Sequence, residues 1–272
     1  MHNKKSVAGS ADFDHGEAIH RSFFLEKDFF DRAYTSNNPV IPSKKVIGGI
    51  IPHHLLASHV IAGFFQGIES RQSPPVVVVI GPDHLDRSAH TITTSRGNWE
   101  TPYGILPPAP GVVDALEQSK LVGIDERLFS VEHSISAEVA FIRRSFPRTT
   151  FVPITLKSGV SPNDAVRLGQ LLAEILPTDA LVLASVDFAH YVDHNEAQRQ
   201  NQVNIPLLES LNIQEASSLY VDSIPTVQVL FAFLQDRHSS AHQVVSSLTG
   251  ADITGDYALP EVTSYITMYY FE

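Results

Sequence analysis

The 272-residue chain contains no cysteine. That excludes a disulfide framework, a thiolate-bound metal and an iron–sulfur cluster held by the chain itself. No stretch reaches the roughly 18 uninterrupted apolar residues that a membrane-spanning helix needs. Basic residues are scarce: 19 Lys and Arg stand against 30 Asp and Glu, for a net charge of −11, and no basic run exceeds Lys44-Lys45 or Arg143-Arg144. Nucleic acids and anionic membrane surfaces need clustered Lys and Arg, so neither is an expected partner. The polar opening, MHNKKSVAGSADFDHG, lacks the apolar stretch of a signal peptide. A cytoplasmic protein is expected, with residues 1–21 as a loose tail and 22–272 as one domain. Internal repeats and low-complexity segments are missing as well.

What is present is apolar and patterned. Apolar residues make up 43% of the chain and charged ones 18%, enough for a substantial core. Four short apolar runs, Val46–Ile51, Val76–Ile80, Phe151–Leu156 and Leu181–Ser185, are rich in β-branched residues and read as strands buried on both faces. Helical patterns lie among them at Leu55–Gln66, Val112–Gln118, Ala137–Ser145 and Asn163–Leu176, the last preceded by Pro162. Residues 22–35 also have helical spacing, with Phe23, Phe24, Phe30 and Tyr34 on one face. After residue 190, Ala197–Leu211 and Ser223–Gln235 read as helices, then Gln243–Leu248 and Thr263–Phe271 as strands. The alternation predicts a single-domain, three-layer α/β/α fold with a mainly parallel sheet and added C-terminal strands, the last a candidate antiparallel strand.

The chemistry-bearing residues follow the strands. The first predicted strand ends in Pro52-His53-His54, the second in Gly81-Pro82-Asp83-His84, and the fourth in Ser185-Val186-Asp187-Phe188-Ala189-His190-Tyr191. Carboxyl ends of neighbouring parallel strands share one crevice, where ligands bind, so these groups are expected to converge. Neutral imidazoles with a carboxylate make a facial ligand set that leaves positions open on iron(II). On zinc, a similar trio lowers the pKa of a bound water. Glu132-His133-Ser134 opens a predicted helix and reads either as a cap and first turn or as part of the site. Asp83 reads as a cap of a following helix. His2, His15, His20, His238 and His242 fall in predicted tails or polar loops and are expected to have no role.

These segments, in this order, resemble the Memo family, known in bacteria and archaea as AmmeMemoRadiSam system protein B and similar in structure to class III (LigB-like) extradiol dioxygenases. The resemblance rests on Pro52–Leu56, Gly81–Leu85, Thr101–Gly104, Glu132–Ser136, Ser185–Tyr191 and Val262–Ile266, and it runs from about residue 46 to the C-terminus. It implies an extradiol-dioxygenase-like frame with metal binding by His53 and His84, and with Asp187 and His190 lining the same pocket. The family often supplies a cysteine as third ligand. The corresponding stretch here is Tyr220-Val221-Asp222-Ser223-Ile224-Pro225, where Asp222 either substitutes as ligand or caps the next helix. His54, His59 and Ser136 depart from the family pattern, so a substrate does not carry over. The expectation is a metal-dependent enzyme of redox or dioxygenase type with iron(II) or copper on His53, His84 and Asp222. His190 then serves as the acid–base group polarised by Asp187, and His133 orients the substrate. A zinc-type hydrolase and a non-catalytic peptide- or metal-binding protein are the alternatives. A small-molecule or peptide ligand is expected, and the resemblance adds radical-SAM and AMMECR1-like partner proteins.

Overall fold

A computed structural model describes residues 19–272. His2 and His15 lie outside them. In chain order the first elements are β1 (Ile19–Arg21), α1 (Lys27–Thr35), β2 (Val46–Ile51), α2 (Ser58–Glu69) and β3 (Val76–Pro82). Next come β4 (Ile92–Thr94), β5 (Asn98–Thr101), β6 (Gly104–Leu106), α3 (Pro110–Gln118), β7 (Gly123–Ile124), α4 (His133–Ser136), α5 (Val139–Ser145) and β8 (Thr150–Leu156). The chain continues through α6 (Pro162–Ile175), β9 (Leu181–Ser185), β10 (Phe188–Val192), α7 (His194–Ser210), α8 (Ile224–Asp236), β11 (Ala241–Thr249), α9 (Gly250–Thr254) and β12 (Val262–Phe271).

The four predicted apolar runs form the centre of a nine-stranded sheet as β2, β9, β3 and β8, all mutually parallel. Side chains alternate across it. Val76, Val78 and Ile80 of β3 join one apolar cluster with α6 and α8, while Val77 and Val79 join the other with α2 and α5. Glycine lets the layers close up on β2. A Cβ on Gly49 would lie 2.5 Å from a Phe64 ring carbon on α2, and one on Gly48 would lie 2.9 Å from Leu234 on α8.

The added strands are antiparallel, as the alternation of the last one suggested. β12 pairs antiparallel with β2, β10 and β11. On the other edge β4 runs antiparallel to β8 and carries β7. A separate small sheet, β1-β5-β6, was not foreseen. Its β1 corrects two expectations. Residues 19–21 pair with Asn98–Glu100 although they read as tail. His20 is a buried strand residue whose Nε2 meets Ser95 Oγ at 2.8 Å and Glu126 Oε2 at 2.7 Å.

Helix α1 is shorter than its pattern. It begins at Lys27, because Glu26 is extended and residues 22–26 run as a strap. The Ser22 amide donates to Glu100 O and the Phe23 amide to Ser136 O, each at 2.9 Å. The segment Thr101–Gly104 forms the hairpin between β5 and β6, with Gly104 at a φ of +99°.

Candidate metal centre

His53 sits directly after β2 and is buried. Its Nδ1 is 3.3 Å from Ser185 Oγ, and that hydroxyl donates to Ser134 O at 2.7 Å. Having spent its proton on the carbonyl, Ser185 accepts from His53 Nδ1–H, which leaves Nε2 bare. Bare Nε2 lies 3.3 Å from Asp222 Oδ2 and 3.6 Å from Asp187 Oδ2. Burial, then the neighbouring His84 and His133, push the His53 pKa well below the ordinary imidazole value. A neutral imidazole with a free lone pair is the form that ligates metals.

His84 follows β3, and Glu132 holds it in a two-point grip. Glu132 Oε1 accepts from His84 Nδ1 at 2.8 Å and Oε2 accepts from the His84 amide at 2.9 Å. Nε2 is again left facing Asp222 Oδ2, at 4.0 Å. Burial works against the charged ring, but the Glu132 hydrogen bond and charge hold the His84 pKa above its usual value. Glu132 also caps α4, accepting from the amides of His133 and Ser134. Burial opposes its ionisation, yet these donors bring its pKa down to about 2. Glu132 is thus the helix cap that the sequence offered, and the same carboxylate touches His84. Gly81 makes room for this turn: a Cβ there would lie 2.7 Å from Ser134 Oγ. His133 stacks on His84 with ring centroids 4.2 Å apart and planes 18° apart.

The carboxylates come from two segments clasped to each other. The Asp222 amide donates to Asp187 O at 3.0 Å, and the Asp187 amide donates to Asp222 Oδ2 at 3.1 Å. The cap of α8 is Ser223, whose side chain accepts from Thr226, so Asp222 is not the cap. Its Oδ1 is buried without a partner. Burial, and then the charge of Asp187, push the Asp222 pKa up to about 8. Burial likewise raises that of Asp187. Two buried acids whose ion-pair partners are imidazoles rather than Lys or Arg are short of positive charge, which a bound cation would supply.

Two overlapping groups of donor atoms within 4.8 Å of one another result. One is His53, His84 and His133, the other His53, Asp187 and Asp222. Four of these residues, His53, His84, His133 and Asp187, form the floor of a cavity of about 870 Å³ that His190 also lines; Asp222 is not among the lining residues. Burial lowers the pKa of His190, and the charge of Asp187 opposes that fall. Among the described residues no hydrogen bond joins Asp187 to His190; Asp187 Oδ1 accepts instead from the His53 amide at 3.2 Å.

Other expectations change. No helix follows Asp83, whose carboxylate accepts from the amides of Arg87 and Ser88 and closes a turn. His54 lines the cavity, and its Nδ1 meets Tyr265 Oη at 2.6 Å. His59 faces a different cavity, beside Asn37 and Val40. Sequence reasoning missed Ser185 as the lock on His53 and Glu132 as the partner of His84. A carboxylate or hydroxyl that acts through the second ring nitrogen has no spacing signature; only the place of Ser185 at a strand end and of Glu132 at a helix start pointed to them.

Fold and site together define an α/β protein with a candidate histidine–carboxylate metal centre at the carboxyl ends of its parallel strands. The Memo family, described as Memo-like protein, matches residues 4–258, and the chain belongs to it. Relatives include a MEMO1 family protein of Sulfurisphaera tokodaii, 24% identical over 97% of both chains. Another, from Thermotoga maritima, is 27% identical over 83% of each. Among solved structures, an uncharacterized protein of Escherichia coli K12 covers 82% of this chain and 100% of its own, with a TM-score of 0.50 and 13% identity. That likeness concerns the fold alone. No helix among the described residues is long and apolar enough to cross a membrane.

Proposed function

We propose that this Memo protein is a metal-dependent redox enzyme of dioxygenase type acting on a small molecule, with iron(II) or copper held by His53, His84 and Asp222. The observation that carries the reading is Asp222. Its Oδ2 faces the Nε2 atoms of His53 and His84, while its Oδ1 is buried and unpaired. Two imidazoles and one carboxylate are the donor set that suits non-haem iron. When bound, such an ion supplies electron transfer and keeps positions open for the substrate. The remaining roles fall to the chain. His190, neutral near pH 7 because burial lowers its pKa, accepts a proton from the substrate. His133, fixed by stacking on His84, orients it. Asp187 supports His53 through its backbone amide and biases His190 by charge. A cytoplasmic setting with radical-SAM and AMMECR1-like partners belongs to the same reading through the family resemblance.

The three-imidazole group, His53, His84 and His133, favours a second reading, a zinc hydrolase with an activated water. Elemental analysis of anaerobically purified protein separates the two. About one iron or copper per chain, lost in His53→Ala, His84→Ala and Asp222→Ala, supports the first. Zinc that survives Asp222→Ala but not His133→Ala supports the second. A chain that takes up no metal even after reconstitution sinks both.

A further inference from the structure

The wall of the cavity above this floor differs in character from the floor. Two chain segments supply it. Phe23, Phe24 and Phe29 come from the strap and the start of α1, and Leu55 and Leu56 from the turn after His53-His54; Tyr191 completes the rim. Several of these side chains are exposed where apolar groups gain nothing from water: Phe23 by 52%, Leu56 by 40% and Tyr191 by 81%.

The rim is also held in place. The strap is pinned by its two backbone bonds to Glu100 and Ser136. Phe23 packs edge-on against Phe24 with ring centroids 4.9 Å apart, Phe24 does the same on Phe29 at 5.2 Å, and Phe23 reaches His133 at 6.4 Å. Tyr191 sits in the left-handed region at a φ of +58°, inside the register shift of β10 between Phe188 and Val192. A non-glycine residue stays in that region only where its surroundings impose it, and a bulge beside a site re-aims a side chain.

Charge completes the picture. No lysine or arginine is among the described residues that line the cavity, and Asp187 is. An anionic group on the outer part of a ligand would find no cation to meet it. From these observations, and resting on the metal-centred reading above, we propose that the site takes an uncharged molecule. Its apolar body, of one or two aromatic rings, is gripped by Phe23, Phe24, Phe29, Leu56 and Tyr191, and its only polar end is the head that reaches the histidines. A cavity of about 870 Å³ is of small-molecule size.

The test uses three probes that share a neutral hydroxamic acid head: acetohydroxamic acid, 2-naphthohydroxamic acid and 6-carboxy-2-naphthohydroxamic acid. Calorimetry measures their affinities on metal-loaded protein of assayed metal content. The naphthyl probe is expected to bind at least about tenfold tighter than the acetyl one, from the apolar area it buries. The carboxylated probe should lose most of that gain. Phe24→Ala and Leu56→Ala should shrink the naphthyl advantage, and Leu56→Lys should restore the carboxylated probe alone; circular dichroism checks that each variant is folded. Equal affinity of the acetyl and naphthyl probes, or equal or tighter binding of the carboxylated one, overturns the proposal. If the protein takes up no metal, the enzyme reading fails separately. The comparison is then read with 2-naphthol against 2-naphthoate, where preference for the alcohol sustains the proposal and parity or preference for the acid overturns it.

Discussion

Two histidine clusters in this molecule are built from similar parts and end in opposite states. Around His20, a buried imidazole meets a hydroxyl and a carboxylate. Ser95 Oγ donates to Glu126 Oε2 at 2.5 Å, and the Arg96 amide donates to Glu126 Oε1 at 2.8 Å. The His20 ring packs 4.9 Å from Trp99 and 5.7 Å from Phe129. The cluster is satisfied by its own members and ties β1 to its neighbours. Around His53, the hydroxyl and carboxylate partners instead occupy the Nδ1 atoms, so the Nε2 atoms turn toward Asp222 Oδ2 while Asp222 Oδ1 stays buried and unpaired. A polar cluster that completes itself serves the fold; one left incomplete beside a cavity is set up for a ligand.

The comparison can be broken by mutation. The largest expected effect is His53→Ala, which should lower metal affinity by about 100-fold or more, measured by metal titration, because it removes a proposed ligand. Glu132→Gln keeps shape but withdraws the charge behind His84, and affinity should fall about 10- to 100-fold. His20→Ala should leave metal binding unchanged and cost about 1–3 kcal/mol of stability, because it strands Ser95 and Glu126. Thermal melting should show that loss as a drop of several degrees. If His20→Ala removed the metal, or His53→Ala acted only on melting, the contrast between the clusters would collapse.

A further effect lies in the pH dependence. Glu138 is wholly buried with both oxygens unpaired, and burial holds its pKa well above the usual value. The folded chain therefore keeps a proton that the unfolded chain releases, so this residue's contribution falls as pH rises above about 4.5, by up to about 1.4 kcal/mol per unit. Glu138→Gln should flatten that decline in denaturant unfolding measured between pH 5 and 8. Glu126 has the opposite sign. Its burial opposes ionisation, but His20, Ser95 and the Arg96 amide lower its pKa. Its contribution is present above the unfolded value and is lost as pH falls through the lowered one.

The central sheet was legible because β2, β3, β8 and β9 are buried on both faces and so read as continuous apolar runs. Short β4, β7 and the small sheet were not, since strands of two to four residues take their pairing from tertiary context. The meeting of His53, His84 and Asp187 followed from their positions beside strand ends, and that of Asp222 with them from family order alone. The aromatic strap did not. Phe23, Phe24 and Phe30 have the spacing of a helix face, and only the extended backbone at Glu26 separates Phe23 and Phe24 from α1.

The clasp between Asp187 and Asp222 has a consequence for how the centre comes into being. Those residues lie 35 positions apart and are 134 or more positions from His53. The donor group therefore does not exist in any short fragment, and closing it requires the chain from β2 through the start of α8 to be in register first. Uptake of an ion at the proposed centre would thus be a late event in maturation, and a loaded ion would report that distant strands have found their places.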